Sequence, residues 1–498
     1  MNKIFNDLFV LEMANNHQGS LKHGLAIIDE AAKLVRKYKI HAGVKLQYRQ
    51  LDSFVHPDYK DREDVKHIPR FMSTRLTSKE FETMIEAIHA HKILSIVTPF
   101  DEDSVDVCLK HKVNLLKVAS CSATDWPLLE KIADAGKPII ASTGGLQFAD
   151  IDNLVAFFEH KGVEFALMHC VSVYPTPNEK AQLSFMKRMK QRYPKVNVGY
   201  SGHEAPDNTR IGMMAIGAEA DMLERHIGLP TKEIKLNAYS MNPKQLDKWL
   251  AHIKVAKEII GIGEDKANDK IETDSLLSLQ RGVFARKIIR KGKKIKSEDV
   301  FFAMPCQNGQ ATSGMFGQYR IDMTASKDYK KNEPIFEKSK QDLSHKIREL
   351  LHLGKGMINE AGIELGKEYE VELSHHYGLD RFHEVGCTII NLINREYCKK
   401  LIIVLPGQKH PSHRHKLKEE TFQLLYGDLD IQLDDIEYHM ALGDMMLVER
   451  GRWHSFESEK GAIFEEVSTT HHRGDSYYAD QSIAKLDPMA RKTIVDVW

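Results

Sequence analysis

Short apolar stretches alternate with helical periodicity along roughly the first 270 residues. Eight stretches have the length and composition of buried strands, and amphipathic segments such as Ser78–His91 separate them. Repeated strand–helix alternation indicates a parallel sheet, and eight units in about 230 residues favour a closed (β/α)8 barrel over an open doubly wound sheet. The predicted strands are Leu8–Met13, Ala42–Gln47, Ile93–Val97, Leu115–Ala119, Pro138–Ser142, Phe165–His169, Asn197–Ser201 and Ala220–Glu224.

The pattern changes twice in the remaining chain. Short strands and basic turns follow the barrel, then comes a helical period at Ser344–Glu364, and then closely spaced apolar runs typical of an all-β unit. We therefore predict a barrel domain at 1–268, a small β module at 275–340, a linker helix at 341–365 and a β domain at 366–498. The predicted strands of the last domain are Cys387–Ile393, Lys400–Leu405, Thr421–Leu425, Leu429–Leu433, Asp444–Val448 and Ile463–Val467.

Composition narrows the class of protein. The 498 residues contain 70 Lys+Arg and 70 Asp+Glu, so the formal net charge is zero and nothing favours a nucleic-acid partner. We expect no membrane partner, because no apolar stretch approaches the roughly 18 residues that a spanning helix needs. The N-terminus lacks a signal-peptide pattern, and the six cysteines are dispersed without a CxxC motif. These features predict a cytoplasmic protein.

Two histidines follow or end neighbouring predicted strands of the barrel. The carboxyl ends of parallel strands meet at one rim, and adjacent strands lie about 4.8 Å apart. His203 and His226 are then close enough to share a metal ion. Closure of the barrel brings Glu12, at the end of the first strand, beside His226. The alternative is that both histidines are ordinary polar residues at strand ends.

Two lysines lie within apolar predicted strands. Burying Lys45 or Lys117 is costly unless a negative partner is present. Hydroxyl groups at the same rim make a phosphate the natural partner, because lysine supplies charge and hydroxyls supply directional donors. Each lysine taken singly is equally consistent with a solvated strand end. Together with the histidine pair, they favour an active site.

Eight segments then carry a specific resemblance: LEMANNHQG, VKLQ, TPFDEDSVD, LLKVASCSATDWPLL, IIASTGG, LMHCVSVYPTP, VGYSGH and LERHIG. In order and spacing they resemble the sialic acid synthase family, which condenses phosphoenolpyruvate with an N-acetylmannosamine-type sugar. The resemblance implies Mn²⁺ or Mg²⁺ on His203 and His226, and water positioned by Glu12 and Glu224. It implies sugar contacts from Gln47, Tyr174, Ser122 and Asn237. The implied phosphoenolpyruvate contacts are Lys45, Thr98, Lys117, Ser120, Ser142 and Ser201.

Several positions depart from the family pattern. Ser122 and Asn237 stand where the family usually has acidic residues, and Ser172 stands where it has asparagine. The module at 275–340 resembles the antifreeze-like (SAF) domain, which in this family covers the partner's active site and so implies a domain-swapped homodimer. Met304 replaces the arginine that often precedes the proline there, here Pro305. These changes affect positions that contact the sugar in the family, so the identity of the sugar stays open.

The C-terminal domain has a second set of metal-ligand residues. His413 and His415 share one face of an extended strand, Glu420 follows across a turn, and His454 comes later. Three imidazoles and a carboxylate suit a second divalent first-row metal, although a surface histidine cluster would look similar. The spacing resembles the two metal motifs of cupins, which are jelly-roll β-barrels. The C-terminal region also resembles, more loosely, cupin-type sugar isomerases such as D-lyxose isomerase.

These features predict an enzyme that makes a sialic-acid-like 2-keto-3-deoxy sugar acid and phosphate from phosphoenolpyruvate and an open-chain mannosamine-type or related aldose. Two roles stay open for the cupin. It is either an aldose–ketose isomerase, which would make the protein bifunctional, or a non-catalytic sugar sensor that regulates the barrel. An eight-carbon sugar-acid synthase is less favoured, because such enzymes usually lack a SAF-like module.

Overall fold

A computed structural model describes residues 3–261, 266, 269–316, 323–338 and 343–495. The chain divides into two compact units, Met1–Lys266 and Ala267–Trp498. The predicted boundaries at 268, 340, 341 and 498 lie outside the described residues. The first unit contains the barrel, and the second contains the small module and the β domain.

The first unit is a closed barrel of eight parallel strands in sequential order, as predicted. Its strands are β1 Leu8–Glu12, β2 Ala42–Tyr48, β3 Leu94–Pro99, β4 Leu115–Val118, β5 Ile139–Ser142, β6 Phe165–Cys170, β7 Asn197–Gly202 and β8 Met222–His226. Its helices are α1 Leu21–Tyr38, α2 Leu51–Phe54, α3 Ile68–Ser73, α4 Ser78–Ala90, α5 Glu102–Lys110, α6 Trp126–Asp134, α7 Phe148–Lys161, α8 Leu183–Arg192, α9 Arg210–Gly217 and α10 Pro243–Ile260.

The barrel has two apolar layers. Alternate strand residues point outward and pack under the helices, whereas a smaller cluster that includes Leu8, Val10, Ile96 and Met222 fills the interior. The interior cluster closes the amino-terminal part of the barrel. Polar side chains therefore collect toward the carboxyl ends of the strands, where the interior is not filled with hydrocarbon.

Strand β8 begins two residues later than predicted and ends at His226. Asp221 belongs to the turn before the strand, where its carboxylate accepts the backbone N–H of Val198 and pairs with Lys190. Pairing with β1 then sets the register, with Leu8 opposite Met222 and Glu12 opposite His226. Glu224 and His226 consequently lie inside a fully buried strand.

The amino-terminal part of the second unit is a small β module. Helix α11 (Lys270–Leu279) precedes the antiparallel strands β9 (Gly282–Ala285) and β10 (Val300–Ala303). Isolated bridges join Ile289 to Tyr329 and Lys294 to Thr324, around a compact apolar core. Helix α12 (Leu343–Glu360) follows and corresponds to the predicted helix at Ser344–Glu364.

The rest of the second unit is a β-sandwich of two antiparallel sheets that share one apolar core. The strands are β11 Glu370–Ser374, β12 Cys387–Asn394, β13 Tyr397–Val404, β14 Lys409–His415, β15 Glu420–Gly427, β16 Leu429–Leu433, β17 Ile436–Met440, β18 Met445–Val448, β19 His454–Glu457, β20 Ala462–Thr469, β21 Ser476–Tyr478 and β22 Lys492–Val495. A short helix, α13 (Gln481–Ala484), precedes the last strand. The seven-stranded sheet has the order β18-β15-β20-β13-β12-β11-β22, and the five-stranded sheet has the order β17-β16-β19-β14-β21.

Candidate functional site

Four buried charged side chains meet at the carboxyl-terminal rim of the barrel. We call Glu12, Lys45, Lys117 and Glu224 the lysine–glutamate network. Lys45 Nζ lies 2.6 Å from Glu12 Oε2 and 2.7 Å from Glu224 Oε1, and Lys117 Nζ lies 3.0 Å from Glu224 Oε2. Ser201 Oγ donates to Glu224 Oε1 at 3.0 Å. The sequence correctly required a negative partner for the lysines, and in the protein alone that partner is carboxylate.

The pKa values of the two glutamates in this network are shifted in opposite directions. Burial raises the pKa of Glu12, and repulsion from Glu224 adds to the rise although Lys45 opposes it. Burial acts against ionisation of Glu224 too, but Lys117 and Lys45 together outweigh it and lower its pKa. Glu224 is therefore the fixed anion, whereas Glu12 is the better suited of the two to gain and lose a proton.

Each lysine ammonium group keeps hydrogen-bonding capacity. An ammonium has three N–H donors. Lys45 uses two of them on Glu12 and Glu224, and Lys117 contacts Glu224 and, at 2.9 Å, the sulfur of Met168. The remaining donors can bind an oxyanion without breaking the network. Burial lowers the pKa of Lys117, so an additional anion would stabilise its charged form.

The predicted hydroxyl donors lie on strands or turns next to the lysines. Thr98, Ser142 and Ser201 are buried at the ends of β3, β5 and β7. Ser120 Oγ accepts the N–H of Gly144 at 3.0 Å and lies 3.1 Å from Cys170 Sγ, so it is held by the turn after β5. Among the residues that the structure describes, no hydrogen bond joins Thr98, Ser120 or Ser142 to a lysine.

The predicted histidine pair is adjacent. The ring centroids of His203 and His226 are 5.3 Å apart, and both rings contact Tyr239. Burial lowers the pKa of His203 to about 4 and also lowers that of His226, so both imidazoles are neutral at pH 7. His203 Nδ1 faces the carbonyl oxygen of Val171 at 3.3 Å, which directs its Nε2 lone pair away from that carbonyl.

The chemistry of this pair fits a divalent cation. Nδ1 of His226 is buried without a hydrogen-bond partner in the described part of the chain. A buried, neutral and unpartnered imidazole nitrogen is costly unless something else binds it. Two imidazoles leave most coordination positions to substrate or water, as a catalytic metal requires.

The sugar-side candidates differ in what they contact. Gln47 Oε1 accepts a hydrogen bond from Arg49, and the half-exposed Tyr174 ring lies tilted against the His203 ring with their centroids 4.5 Å apart. Ser122 is buried in a short turn, and Asn237 Oδ1 accepts the backbone N–H of Tyr239. Asn237 thus holds the loop that presents Tyr239 to the histidines.

Two rim residues escaped the sequence analysis. Tyr239 lies in the loop between β8 and α10, and Arg49 lies directly after β2. An aromatic or cationic residue in a loop that follows a barrel strand is a usable signal, because such loops build the active sites of this fold.

The cupin-like domain brings its predicted ligands together. Ligand atoms of His413, His415 and His454 all lie within 4.8 Å of one another, and all three side chains are buried. Glu420 Oε1 is 3.6 Å from His415 Nε2, and Glu420 Oε2 is 3.1 Å from His454 Nε2. Neither Glu420 Oε2 nor His454 Nε2 has a hydrogen-bond partner with acceptable geometry among the described residues.

The tautomer of each histidine in this cluster follows from its backbone contact. The Nδ1 atoms of His413, His415 and His454 lie 3.1, 2.8 and 3.2 Å from carbonyl oxygens. A carbonyl can only accept, so each Nδ1 carries the proton and each Nε2 keeps its lone pair. Ligand histidines are commonly oriented in this way. The cluster therefore fits a divalent first-row metal.

A buried lysine bridges this cluster to a second carboxylate. Lys418 Nζ lies 2.5 Å from Glu420 Oε1 and 2.9 Å from Glu466 Oε1, and Ser468 also donates to Glu466. Strand alternation turns the neighbouring Glu465 outward, where it pairs with Lys399. Lys418 was missed in the sequence because a lysine between His415 and Glu420 has the appearance of a turn residue.

The barrel has its polar groups where enzymes of the (β/α)8 class have their active sites, and the second unit adds a cupin. A profile of the NeuB family matches residues 30–265, and a cupin-domain profile matches residues 400–467. An uncharacterised protein of Methanocaldococcus jannaschii is 30% identical over 298 residues, which are 59% of this chain and 84% of that protein. The chain belongs to the NeuB family.

Two further comparisons extend beyond the barrel. The N,N'-diacetyllegionaminic acid synthase of Campylobacter jejuni is 26% identical over 342 residues, which cover 66% of this chain and 99% of that enzyme. The crystal structure of a protein described as spore coat polysaccharide biosynthesis protein E, from Chromobacterium violaceum, has a TM-score of 0.64 and 42% identity. It covers 66% of this chain and 98% of that one. In the described part of the chain, no helix is long and apolar enough to span a membrane.

Proposed function

We propose that the barrel condenses phosphoenolpyruvate with an open-chain mannosamine-type or related aldose. The products are a sialic-acid-like 2-keto-3-deoxy sugar acid and phosphate. The observation that carries this proposal is the pairing of Lys45 and Lys117 with Glu224 at the same rim as His203 and His226. Similarity to an enzyme named as a legionaminic acid synthase supports the same class of reaction.

In this proposal the network binds the phosphoenol group. Lys45 and Lys117 contact the phosphate and carboxylate oxygens, and Thr98, Ser120, Ser142 and Ser201 add hydroxyl donors. His203 and His226 hold Mn²⁺ or Mg²⁺, which when bound supplies Lewis-acid polarisation of the aldehyde. Holding both substrates in one rim replaces a bimolecular encounter by an oriented one.

The chain's own residues then manage the protons. C3 of phosphoenolpyruvate bonds to the aldehyde carbon, whose oxygen takes up a proton and becomes a hydroxyl, and water adds at C2. Glu12, whose pKa is raised by burial, accepts a proton from that water. Collapse at C2 breaks the C–O bond and releases phosphate, which leaves the keto group of the product. Glu224 keeps both lysines in position during these steps.

The sugar is proposed to contact Gln47, Tyr174, Ser122 and Asn237. Asn237 would act through Tyr239, whose backbone it holds. The small β module is proposed to be a SAF domain that covers the active site of a partner subunit in a swapped homodimer. Met304, exposed at 58%, then meets the sugar without the guanidinium group that the family usually offers to an acyl carbonyl.

Phosphate release tests the condensation directly. The assay mixes the protein and Mn²⁺ with phosphoenolpyruvate that carries ¹⁸O in the C2–O–P bridge. Phosphate should be released only when a suitable aldose is added, and that phosphate should contain the label. Lys117→Met should lower kcat/KM by at least about 10²-fold, because one buried cation is lost from the proposed phosphate site. The exposed Lys110→Met is the matched control and should leave the rate unchanged. Unlabelled phosphate, or no phosphate with any mannosamine-type or neutral aldose, would contradict the proposal.

A second candidate function concerns the cupin. Lys418 and Glu466 lie beside three histidines and Glu420, so an acid–base pair adjoins a proposed metal site. This arrangement supports aldose–ketose isomerisation, in which a base moves a proton from C2 to C1 while the hydroxyl proton of O2 passes to O1. No oxidant or reductant is needed, because the product is an isomer. The competing role is a sugar sensor that binds without turnover.

Two adjacent glutamates on β20 distinguish these roles. If the cupin is an isomerase, Glu466→Gln in the full chain should slow interconversion of its sugar by about 10²–10⁴-fold. Glu465→Gln, on the opposite face of the same strand, should not. Solvent deuterium incorporation at C1 or C2 of the sugar, measured by NMR with Mn²⁺ present, gives the readout. Sugar binding without exchange, accompanied by altered barrel kinetics, would instead establish a sensor.

A further inference from the structure

Arg49 continues a row of polar side chains that begins on β2. Lys45, Gln47 and Arg49 are spaced two residues apart, so they follow one face of the extended chain. A strand rises about 3.3 Å per residue, which puts the Arg49 backbone about 13 Å beyond that of Lys45. Arg49 Nη1 donates to Gln47 Oε1 at 3.0 Å, so the upper two side chains are in contact. The row leads from the lysine–glutamate network outward through a proposed sugar contact.

The Arg49 guanidinium contacts two aromatic rings. Its central carbon lies 3.5 Å from the ring centre of Phe100 and 4.2 Å from that of Phe71. These cation–π contacts hold the guanidinium without using its N–H donors, of which one donates to Gln47 and the others can bind a ligand. The side chain is thus ordered before any ligand arrives, which lowers the entropic cost of binding.

The guanidinium of Arg49 has no direct carboxylate partner among the described residues, although Glu12 and Asp101 act on it at longer range. In the described part of the chain Arg49 forms no ion pair, and its Nε is buried without a hydrogen-bond partner. The two carboxylate oxygens of Asp101 accept hydrogen bonds from the backbone N–H groups of Ser104 and Gln50. The Glu12 carboxylate pairs with Lys45 and accepts the backbone N–H of Ala14. The remaining titratable neighbour is the thiol of Cys121. Burial lowers the pKa of Arg49 to about 10, a penalty that a bound anion would offset.

We infer that Arg49 binds an anionic group, a phosphate ester or a carboxylate, at the end of the sugar remote from its aldehyde. The inference rests on the proposed function, because it takes the aldehyde to lie near His203 and His226. The phosphate of phosphoenolpyruvate is assigned to Lys45 and Lys117, and the Lys45 backbone lies about 13 Å below that of Arg49 along the chain. Arg49 is therefore available to a second anion. The exposed Arg70, next to Phe71, adds positive charge on the same side.

Binding of unreactive open-chain probes tests the inference without catalysis. Mannitol and mannitol 6-phosphate are titrated by calorimetry into the full chain saturated with phosphoenolpyruvate, which occupies the deeper anion site. The phosphorylated probe should bind at least about 10-fold more tightly to the natural protein. Arg49→Gln should remove that difference, and Arg49→Lys should restore only part of it because lysine lacks the planar fork. The exposed Arg62→Gln is the matched control and should leave both affinities unchanged.

Steady-state kinetics separate the two possible anions. Aldoses that carry a 6-phosphate, a 6-carboxylate or a neutral 6-hydroxyl are compared in the phosphate-release assay. Arg49→Gln should raise KM for the preferred anionic sugar by about 10–100-fold and leave KM for phosphoenolpyruvate within about twofold. For each anionic sugar, KM in Arg49→Gln is divided by KM in the natural protein. The sugar with the larger ratio shows whether phosphate or carboxylate is the natural group.

Failure of the inference can be told apart from failure of the proposed function. Equal binding of both mannitol probes, or a preference that persists in Arg49→Gln, would overturn the role of Arg49 even if condensation occurs. A rise in KM for phosphoenolpyruvate instead of the sugar would overturn it as well. A phosphate preference that depends on Arg49, found in a protein that condenses no sugar, would support the anion site and reject the condensation.

Discussion

Replacing His226 by alanine should lower kcat for condensation by about 10³-fold while the barrel stays folded. The side chain ends a buried strand, its Nδ1 has no partner within the described residues, and its ring faces His203 and Tyr239. Removing it therefore breaks no hydrogen bond of the described fold, but it takes away half of the proposed metal ligands. Circular dichroism and phosphate release, measured on the same preparation, separate folding from catalysis.

Metal content gives a second readout of the same change. His226→Ala should lower the bound Mn²⁺ by one equivalent per chain. The equivalent of metal bound in the cupin should remain. The control is His160→Ala, at the exposed last turn of α7, which should change neither activity nor metal content. If condensation persisted in a variant without both His203 and His226, the barrel would not use a metal at this position.

Replacing Glu224 by alanine should lower the free energy of unfolding by about 3–5 kcal/mol, because removal of one partner leaves a buried charge uncompensated. Lys117 would lose the one carboxylate that pairs with it among the described residues, whereas Lys45 would keep Glu12. Lys117 is only 1% exposed, so water cannot replace the lost partner without a change in packing. Urea unfolding followed by tryptophan fluorescence measures the loss.

A double-mutant cycle isolates the charge effect. Lys117→Met combined with Glu224→Ala should be more stable than Glu224→Ala alone, since the uncompensated ammonium is then absent. Glu233→Ala, at an exposed position before α10, controls for the loss of one carboxylate and should change stability by less than about 0.5 kcal/mol. A Glu224→Ala variant as stable as the natural protein would mean that Lys117 deprotonates or finds another partner.

Much of the barrel was predictable because the alternation of a buried strand with an amphipathic helix repeats along it. All eight strands were predicted, and the rim positions of Glu12, Lys45 and His226 follow from the rule that parallel strands end at one edge. The start of β8 was not predictable from hydrophobicity, since the charged Asp221 before the strand does not differ in polarity from Glu224 and Arg225 inside it. The pairing of Asp221 with Val198 and Lys190 decides that boundary, and such a tertiary contact leaves no local mark.

The cupin-like domain was predicted less completely. Strand β17 was missed because four of its five residues are exposed, so it lacks the alternation that identifies half-buried strands. The four proposed metal ligands were found because imidazoles and a carboxylate at fixed spacing form a local signal. Glu466 was also predictable as a pocket residue, but Lys418 was not, because its significance arises only when strands β15 and β20 pair and bring it into contact with Glu466.

The lysine–glutamate network has a consequence for how substrates bind. Its two lysines and two glutamates sum to no net charge when all four are ionised. A phosphate group brings close to two negative charges into this neutral, buried site, and a divalent cation on the neighbouring histidines brings two positive ones. Under the proposed assignment each ligand therefore raises the affinity of the other by the same factor. Joint occupancy is favoured over either ligand alone, whichever of the two arrives first.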